Sequence, residues 1–331
     1  MSLVVIIAIV IALLFDFLNG MNDAANSIAT VVSTKVLSPL MAVLWAAFFN
    51  FAAVFFFGVH VATTIGKGIV DPSIVNEYII LGALIGSILW VYTCTHFGLP
   101  ISVSHALIGG LMGPAIIKGG TAVLIPAGIT KVLLFIVLSP LIGIILGFLI
   151  MVLTMLTFRR TSPRRVDSLF RILQLVSSAV FSIGHGSNDA QKTMGIIAVL
   201  LFSTGSLGAD FYVPTWVIFA CYSAIALGTL SGGWRVIKTL GLQLTQLKPV
   251  QGFCAETAGA LTIIGSTLAG IPVSTTHTIT GSIMGVGLTK GISHVRWGIA
   301  TNIIIAWILT IPGTMILSGG IYWLISLLLP K

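Results

Sequence analysis

Two short polar sequences interrupt long apolar segments of this chain, and each contains an adjacent asparagine and aspartate. The first is Gly20-Met-Asn22-Asp23-Ala-Ala-Asn26 and the second is Gly186-Ser-Asn188-Asp189-Ala-Gln191. A carboxylate at membrane depth is costly, so it usually faces a cavity, an ion or a partner there. Carboxylate and amide oxygens are ligands for hard cations. The two motifs lie 166 positions apart, and they predict one cation site built from two related halves, with Asp23, Asn26 and Asp189 as ligands.

A second pair of motifs carries hydroxyl groups. Pro100-Ile-Ser-Val-Ser-His105 and Pro272-Val-Ser-Thr-Thr-His277 match at a spacing of 172 residues. Proline suits the first turn of a helix, and a neighbouring Ser or Thr suits its cap. A helix that begins at membrane depth presents free N–H groups and a positive dipole end to an anion. We therefore expect an anion site whose hydroxyl donors are Ser102, Ser104, Ser274, Thr275 and Thr276.

The glycines near these motifs have two predicted roles. Gly109 and Gly113, like Gly281 and Gly285, are four residues apart, a spacing that lets membrane helices approach closely. Gly20 and Gly186 are expected to let the helix break beside each Asn-Asp motif.

Other polar residues in apolar segments are further candidates. Glu256 is a predicted cation-coupling residue, because intramembrane acids are functional by default. Asp16 is interpreted as a hydrogen-bonding residue between helices, and His105 and His277 as bridges between helices. The secondary site candidates are His185, as a proton or substrate ligand, Lys192, as a partner of Asp189 or of an anion, Gln191 and Gln251.

The composition defines the class of protein. Apolar residues make up 57% of the chain and charged residues 7%, against about 25% charged residues in a soluble domain. Such a chain cannot cover a surface that faces water, so we expect an all-α polytopic membrane protein. The charge of +8 follows membrane topology and does not indicate nucleic-acid binding.

Hydropathy predicts about ten membrane segments, five in each half. They cover roughly residues 2–32, 38–60, 75–97, 99–118, 127–157, 169–203, 213–230, 250–270, 272–289 and 297–329. Several exceed the ~20 residues that span the hydrocarbon core, so discontinuous or re-entrant helices are expected. With the N-terminus outside, eleven of the 16 Lys and Arg residues fall inside and four outside, which follows the positive-inside rule.

Five crossings are an odd number, so the second half enters the membrane from the opposite side. We therefore predict an inverted repeat, an arrangement typical of secondary transporters. Its parts are residues 1–158, a basic cytoplasmic linker at 159–168, and residues 169–331.

These motifs together resemble the inorganic phosphate transporter (PiT) family, in the form of its short bacterial members. The resemblance covers essentially the whole chain and includes Gln251-Gly-Phe-Cys-Ala-Glu256-Thr. It implies a symporter that carries inorganic phosphate across the plasma membrane with Na⁺ or H⁺, without another cofactor and without enzymatic activity. It also implies a homodimer in membrane lipid. The hydroxyl residues, with Asn22 and Asn188, would bind phosphate.

The chain departs from the family at two positions. Asn50 stands where many relatives carry a Glu, the expected partner of Glu256, and Gln191 is taken as the counterpart of Asn26. Na⁺ is preferred over H⁺, because the repeated Asn-Asp oxygens suit a metal ion. The alternatives are a permease for another oxyanion such as sulfate, an intramembrane hydrolase that uses the paired aspartates, and an anion channel.

Overall fold

Twelve α-helices account for most of the residues that the computed structural model describes, which are 2–208 and 210–328. In chain order they are α1 (Leu3–Ser33), α2 (Pro39–Ala52), α3 (His60–Gly68), α4 (Glu77–Phe97), α5 (Val103–Gly119), α6 (Pro126–Phe158), α7 (Pro163–Ser203), α8 (Thr215–Ser231), α9 (Trp234–Lys238), α10 (Pro249–Leu268), α11 (Thr275–Leu288) and α12 (Trp297–Leu328). The expected all-helical fold is confirmed. The predicted end of the last segment, at residue 329, lies outside the described residues.

The ten predicted segments each coincide with a helix, but the helices differ in length. Five of them, α1, α4, α6, α7 and α12, are long and apolar enough to cross a membrane. Two bent pairs bring the number to as many as seven, with angles of 84° between α2 and α3 and 66° between α8 and α9. The 17 residues of α5 and the 14 of α11 extend about 26 and 21 Å, less than the ~30 Å hydrocarbon core. These two short helices are the expected re-entrant elements.

Two helical hairpins contain the short helices. Residues 98–102 connect α4 to α5, residues 269–274 connect α10 to α11, and the two arms of each hairpin pack together. Gly98 and Gly270 have positive φ angles of 70° and 65° just after the first arms, a conformation that glycine adopts at no steric cost. The chain therefore reverses tightly and directs the starts of α5 and α11 into the protein.

Serine caps begin both short helices, as the sequence predicts. Ser102 Oγ accepts the N–H of His105, and Ser274 Oγ accepts the N–H of His277, each at 3.2 Å. The expectation that Pro100 and Pro272 lie in the first helical turn is wrong. Both prolines lie two residues before the cap, so their fixed φ shapes the connecting loop and not the helix.

Glycines let each short helix pack on the long helix that ends the other half. A Cβ atom on Gly109 of α5 would lie 2.2 Å from Thr314 Oγ1 of α12, and one on Gly281 of α11 would lie 2.3 Å from the carbonyl oxygen of Pro140 in α6. α5 accordingly packs along α12, and α11 along α6. The predicted role of these glycines in close helix approach is confirmed.

Gly20 and Gly186 also serve close approach, and the predicted helix breaks are wrong. Both residues lie inside continuous helices, α1 and α7. A Cβ atom at these positions would lie 2.1 Å from the carbonyl oxygen of Ile225 and 2.5 Å from that of Asn50. Helix crossing, and not backbone freedom, therefore explains both glycines, and the helices offer no unwound carbonyl ligands there.

The outer surface of the long helices is apolar. Leu153 of α6 and Ile308 and Ile316 of α12 are each at least 65% exposed. A surface of large apolar side chains suits lipid, whereas the backbone polar groups are satisfied within the helices. The polar residues of the motifs lie on the opposite, inner side of the molecule, where they are buried.

Candidate functional site

The two Asn-Asp motifs meet at the centre of the molecule. Asp23 lies on α1, and Asp189 and His185 lie one turn apart on α7. His185 Nε2 is 3.2 Å from Asp189 Oδ2 and 3.8 Å from Asp23 Oδ2, and one ligand atom of each residue lies within 4.8 Å of the others. All three side chains are buried. We call these residues, with Thr275, Thr276, Ser104, Asn26 and Lys192, the central site.

The start of α11 places two hydroxyl groups against the aspartates. Thr275 Oγ1 lies 3.3 Å from Asp23 Oδ2 and 3.2 Å from Asp189 Oδ2, and Thr276 Oγ1 donates to Asp23 Oδ1 at 3.1 Å. Two unit charges ~4 Å apart repel by about 4 kcal/mol at an effective dielectric near 20. Because Asp23 and Asp189 approach the same Thr275 hydroxyl group in a buried site, a positive charge between the two carboxylates would be favourable.

The start of α5 contributes Ser104 on the other side of the central site. The buried ammonium of Lys192 donates hydrogen bonds to Ser104 Oγ, to Asp189 Oδ1 and, at 2.9 Å, to the carbonyl oxygen of Val273. Of the two roles predicted for Lys192, the ion pair with Asp189 is confirmed.

Lys192, and not Gln191, is the counterpart of Asn26. The spacing of 166 that aligns the two Asn-Asp pairs aligns position 26 with position 192, so the correspondence predicted for Gln191 is wrong. Asn26 Nδ2 donates to the hydroxyls of α11, at 3.2 Å to Thr275 and 3.0 Å to Thr276. Gln191 instead accepts the backbone N–H of Val61 at 2.9 Å, and so supports the start of α3.

Asn22 and Asn188 tie the motif helices to the first arms of the hairpins. Asn22 Nδ2 donates to Thr95 Oγ1 of α4 at 2.6 Å, and Asn188 Nδ2 donates to Thr267 Oγ1 of α10 at 2.9 Å. The two threonines are 172 positions apart, so the contact occurs in the same form in both halves. In this conformation both asparagines therefore hold the hairpins.

Glu256 lies outside the central site, in a polar cluster of its own. Its carboxylate accepts hydrogen bonds from Thr30 Oγ1 at 2.5 Å, from Gln174 Nε2 at 3.1 Å and from Ser177 Oγ. All four residues are buried. The sequence analysis missed the three partners, although an amide within an apolar segment, as at Gln174, is a signal of the same kind as the acid itself.

A polar stripe on α1 connects the central site with this cluster. Asp23, Asn26, Thr30 and Thr34 follow at intervals of three, four and four residues, which places them on one helix face, and all are buried. Thr34 Oγ1 donates to Gln174 Oε1 at 2.9 Å. The stripe therefore runs from the paired aspartates past Glu256 to the end of α1.

The stripe ends at a basic cavity, and its last two positions have no polar counterpart on α7. Thr34 lines a cavity of about 670 Å³ together with Lys35, Arg171 and Lys248. On α7, the positions that correspond to Thr30 and Thr34 are Ile196 and Leu200, both buried. The described residues thus offer a polar route from the central site to the basic end, and an apolar barrier along α7.

Asn50 and Gln251 do not lie where the sequence analysis expected them. Asn50 faces the central site and not Glu256, since its Oδ1 lies 3.1 Å from His185 Nδ1 and its Nδ2 donates to Thr229 Oγ1 at 2.9 Å. Gln251 Oε1 accepts the backbone N–H of Lys248 at 2.9 Å and the ammonium of Lys290 at 3.1 Å. It therefore belongs to the start of α10, away from the aspartates.

The remaining polar candidates have different outcomes. His105 and His277 lie with ring centroids 4.7 Å apart, and His277 stacks on Trp307 of α12 at 3.6 Å; their predicted role in bridging helices is confirmed. Asp16 is buried, with the side chains of Thr193 on α7 and of Asn19 beside its carboxylate, and its role as a hydrogen-bonding residue between helices stays a prediction.

The fold and the central site define a polytopic membrane transporter. Buried charges lie between two helical hairpins, at the join of two related motifs, an arrangement typical of transporter substrate sites. The chain belongs to the phosphate transporter family, whose model matches residues 19–318. The resemblance found in the sequence is thereby confirmed.

Individual relatives agree with this assignment. The chain is 56% identical over 287 residues to a probable low-affinity inorganic phosphate transporter of Rhizobium meliloti, across 87% of this chain and 86% of that one. It is 40% identical over 294 residues to a protein of the same description in Bacillus subtilis, across 88% of both. A solved structure described as the sodium-dependent phosphate transporter matches with a TM-score of 0.92 and 27% identity, over 99% of this chain and 100% of that one. These relatives are transporters and not enzymes, and the fold of this chain is that of a transporter.

Proposed function

We propose that this protein is a secondary symporter that moves inorganic phosphate across the plasma membrane together with Na⁺. The observation that carries the proposal is the meeting of two buried aspartates with the N-terminus of α11 and the hydroxyl groups of both hairpins. Family membership supports phosphate as the substrate. The sodium dependence named for the similar solved structure supports Na⁺ as the coupling ion.

Phosphate is proposed to bind at the starts of α5 and α11. A helix leaves its first N–H groups without intrahelical acceptors, and these groups together with the dipole favour an anion. The hydroxyl groups add neutral donors that hold the anion and still release it. The proposed phosphate contacts are Ser102, Ser104, Ser274, Thr275 and Thr276.

Na⁺ is proposed to bind between phosphate and Asp23. The Asn26 side-chain oxygen is buried and has no hydrogen-bond partner among the described residues, while its Nδ2 group holds α11 beside Asp23. A carboxylate, an amide oxygen and threonine hydroxyls form a hard oxygen donor set that suits Na⁺. His185 and Glu256 support H⁺ as the alternative coupling ion.

The two halves, 1–158 and 169–331, are proposed to be an inverted repeat joined by the linker at 159–168. The paired motifs, the two hairpins and the exchange of α5 and α11 between the halves support this relation. The N-terminus is placed outside by the positive-inside rule. The basic cavity beside Thr34 then lies at the cytoplasmic side, and the polar stripe on α1 is the route by which phosphate leaves the central site.

Two finer points complete the proposal. Sulfate is the alternative oxyanion, but the sulfate-carrying branch of the family lacks the Asn-Asp pairs that this chain has twice.

A homodimer in the lipid bilayer is proposed from the family resemblance, and the apolar outer faces of α6 and α12 supply area for both lipid and a second copy.

Uptake of labelled phosphate by proteoliposomes tests the function. An inward Na⁺ gradient at equal pH on both sides is expected to drive accumulation, and unlabelled phosphate is expected to compete better than sulfate. Empty liposomes and the Asp23→Asn variant are the controls. Full uptake driven by a pH gradient in Na⁺-free buffer would exclude Na⁺, and uptake of sulfate in place of phosphate would exclude the proposed substrate.

The proposed phosphate contacts have a separate test. The double variant Ser104→Ala and Thr276→Ala removes one hydroxyl from each hairpin, and phosphate binding to the purified protein is expected to weaken by tenfold or more, since each hydrogen bond to a charged group contributes about 1.5–3 kcal/mol. Ser326→Ala, at a half-buried position near the end of α12 and outside the central site, is the matched control. Unchanged binding in the double variant contradicts this assignment.

A further inference from the structure

One difference between the two halves of the central site is the pair Asn26 and Lys192. Asn26 and Lys192 correspond through the spacing of the Asn-Asp motifs, and Thr276 and Ser104 correspond through the spacing of the hairpin motifs. Asn26 contacts Thr276, and Lys192 contacts Ser104. The contact is therefore the same in both halves, but an uncharged amide makes it in one and an ammonium in the other.

The ammonium of Lys192 lies among oxygens that would suit a metal cation. Its three acceptors are a carboxylate oxygen of Asp189, the hydroxyl of Ser104 and the carbonyl of Val273. These are the oxygen types that hold hard cations in proteins. An ammonium group has three N–H donors and no acceptor, so these contacts use all of its hydrogen-bonding capacity.

Among the described residues, no lysine or arginine pairs with Asp23 at the corresponding place in the other half. Asp23 receives hydroxyl hydrogen bonds from Thr275 and Thr276, and the nearby Asn26 oxygen is buried without a partner. The nearest cationic candidate is His185, which is 3.8 Å from Asp23 and closer to Asp189. A mobile cation thus has oxygen ligands to bind on the Asp23 side, whereas Lys192 occupies them on the Asp189 side.

We propose that Lys192 is a resident cation that replaces one coupling cation, so that the protein moves one cation fewer per phosphate than it would with asparagine at both positions. This inference rests on the proposed symport function and concerns its stoichiometry. With Lys192 charged, the two aspartates and the lysine carry a net charge of −1. With asparagine at position 192 the same groups carry −2, and one more cation balances them.

Two other roles for Lys192 make different predictions. A direct phosphate ligand needs a free N–H group, but all three are donated to protein oxygens. A purely structural ion pair would affect stability and leave the number of transported charges unchanged. The number of charges moved per phosphate is therefore the quantity that distinguishes the resident cation from a structural lysine.

The test measures the membrane voltage at which phosphate flux through proteoliposomes is zero, at fixed Na⁺, H⁺ and phosphate gradients. This voltage gives the charge moved per phosphate. Lys192→Asn is expected to move one more positive charge per phosphate than the unchanged protein. Lys192→Arg keeps the charge and is expected to keep the ratio, and Asn26→Lys is expected to lower it by one. An unchanged ratio in an active Lys192→Asn variant overturns the proposal.

A measurement of Na⁺ binding tests the proposal in variants that fold but do not transport phosphate. Radioactive ²²Na⁺ bound by purified protein in saturating phosphate is expected to increase by one ion per chain in Lys192→Asn, and an equal number in both proteins overturns the proposal. Phosphate transport by the unchanged protein tests the proposed function separately from the proposed role of Lys192. If it carries no phosphate, the proposed function is wrong; if H⁺ alone drives it, the coupling ion is wrong and the charge ratio still tests Lys192.

Discussion

Replacement of the two central aspartates is expected to affect stability unequally, even though the motifs that contain them are repeats. Asp189 pairs with the buried ammonium of Lys192 and lies 3.2 Å from His185, whereas Asp23 receives mainly hydroxyl hydrogen bonds. Asp189→Asn leaves a buried lysine without its counter-charge. Asp23→Asn keeps an oxygen that accepts from one of the two hydroxyl groups, and its new NH2 group can donate to the oxygen of the other.

The size of the difference follows from these contacts. Removal of one partner from a buried ion pair costs about 3–5 kcal/mol, whereas exchange of the carboxylate acceptor at position 23 for a neutral amide weakens its hydrogen bonds by about 1 kcal/mol. Relief of repulsion between the two carboxylates is common to both variants and cancels in the comparison. At roughly 2 °C per kcal/mol for a chain of this size, we expect Asp189→Asn to unfold about 4–8 °C below Asp23→Asn.

Native cysteines allow the unfolding midpoints of these variants to be measured. Cys94, Cys221 and Cys254 are free and buried, so a thiol-reactive dye reports unfolding of the detergent-purified protein without any added label. The double variant Asp189→Asn with Lys192→Met removes both charges and is expected to recover most of the lost stability. Equal midpoints for Asp23→Asn and Asp189→Asn, or no recovery in the double variant, would refute the argument that Lys192 is a buried charge paired with Asp189.

Three further predictions follow from the packing and from the Glu256 cluster. Gly20→Ala places a methyl group 2.1 Å from the Ile225 carbonyl and is expected to reduce the yield of folded protein in size-exclusion chromatography, while Gly265→Ala, where a Cβ meets nothing within 4 Å, is expected to match the unchanged protein; equal loss in both contradicts the packing argument. Glu256→Gln keeps an oxygen that accepts from Thr30, and its NH2 group can donate to Ser177 Oγ; it is expected to fold normally but to lose at least tenfold in phosphate uptake, so full uptake excludes a role for this charge. Glu256→Leu introduces the residue found 172 positions earlier, Leu84, at the spacing of the hairpin motifs; it removes the acceptor of the buried Thr30 and Gln174 side chains, at about 1–3 kcal/mol each, and a dye-detected midpoint equal to that of Glu256→Gln would contradict this cost.

Helix positions could be predicted well because apolar runs and their boundaries are local features. The predicted segment 250–270 is α10 at Pro249–Leu268, and the predicted segment 213–230 is α8 at Thr215–Ser231. The hydroxyl-rich helix starts could also be predicted, since a serine cap is a local feature of the sequence.

Relations between distant residues could not be predicted in the same way. Gly20 fits either a helix break or a close crossing, and only the position of Ile225 on another helix decides between them. The partners of Glu256 include Thr30, 226 positions away, which no spacing rule connects to it. The counterpart predicted for Asn26, Gln191, was wrong by one residue, which turns a helical side chain by about 100°; the spacing of 166 aligns Asn26 with Lys192, and the contacts with Thr276 and Ser104 agree with it.

The exchange of short helices between the halves has a consequence for biogenesis. Gly113 of α5 packs against residues of α12 as far along the chain as Gly319, which the ribosome makes 206 residues later. At about 5–20 residues per second, the first hairpin waits roughly 10–40 s before its final neighbour emerges. During this time the small-residue face of α5 is open to lipid or to insertion factors. The first half therefore cannot reach its native packing while it is being synthesised, and a chain truncated before α12 is expected to be a substrate for membrane proteases.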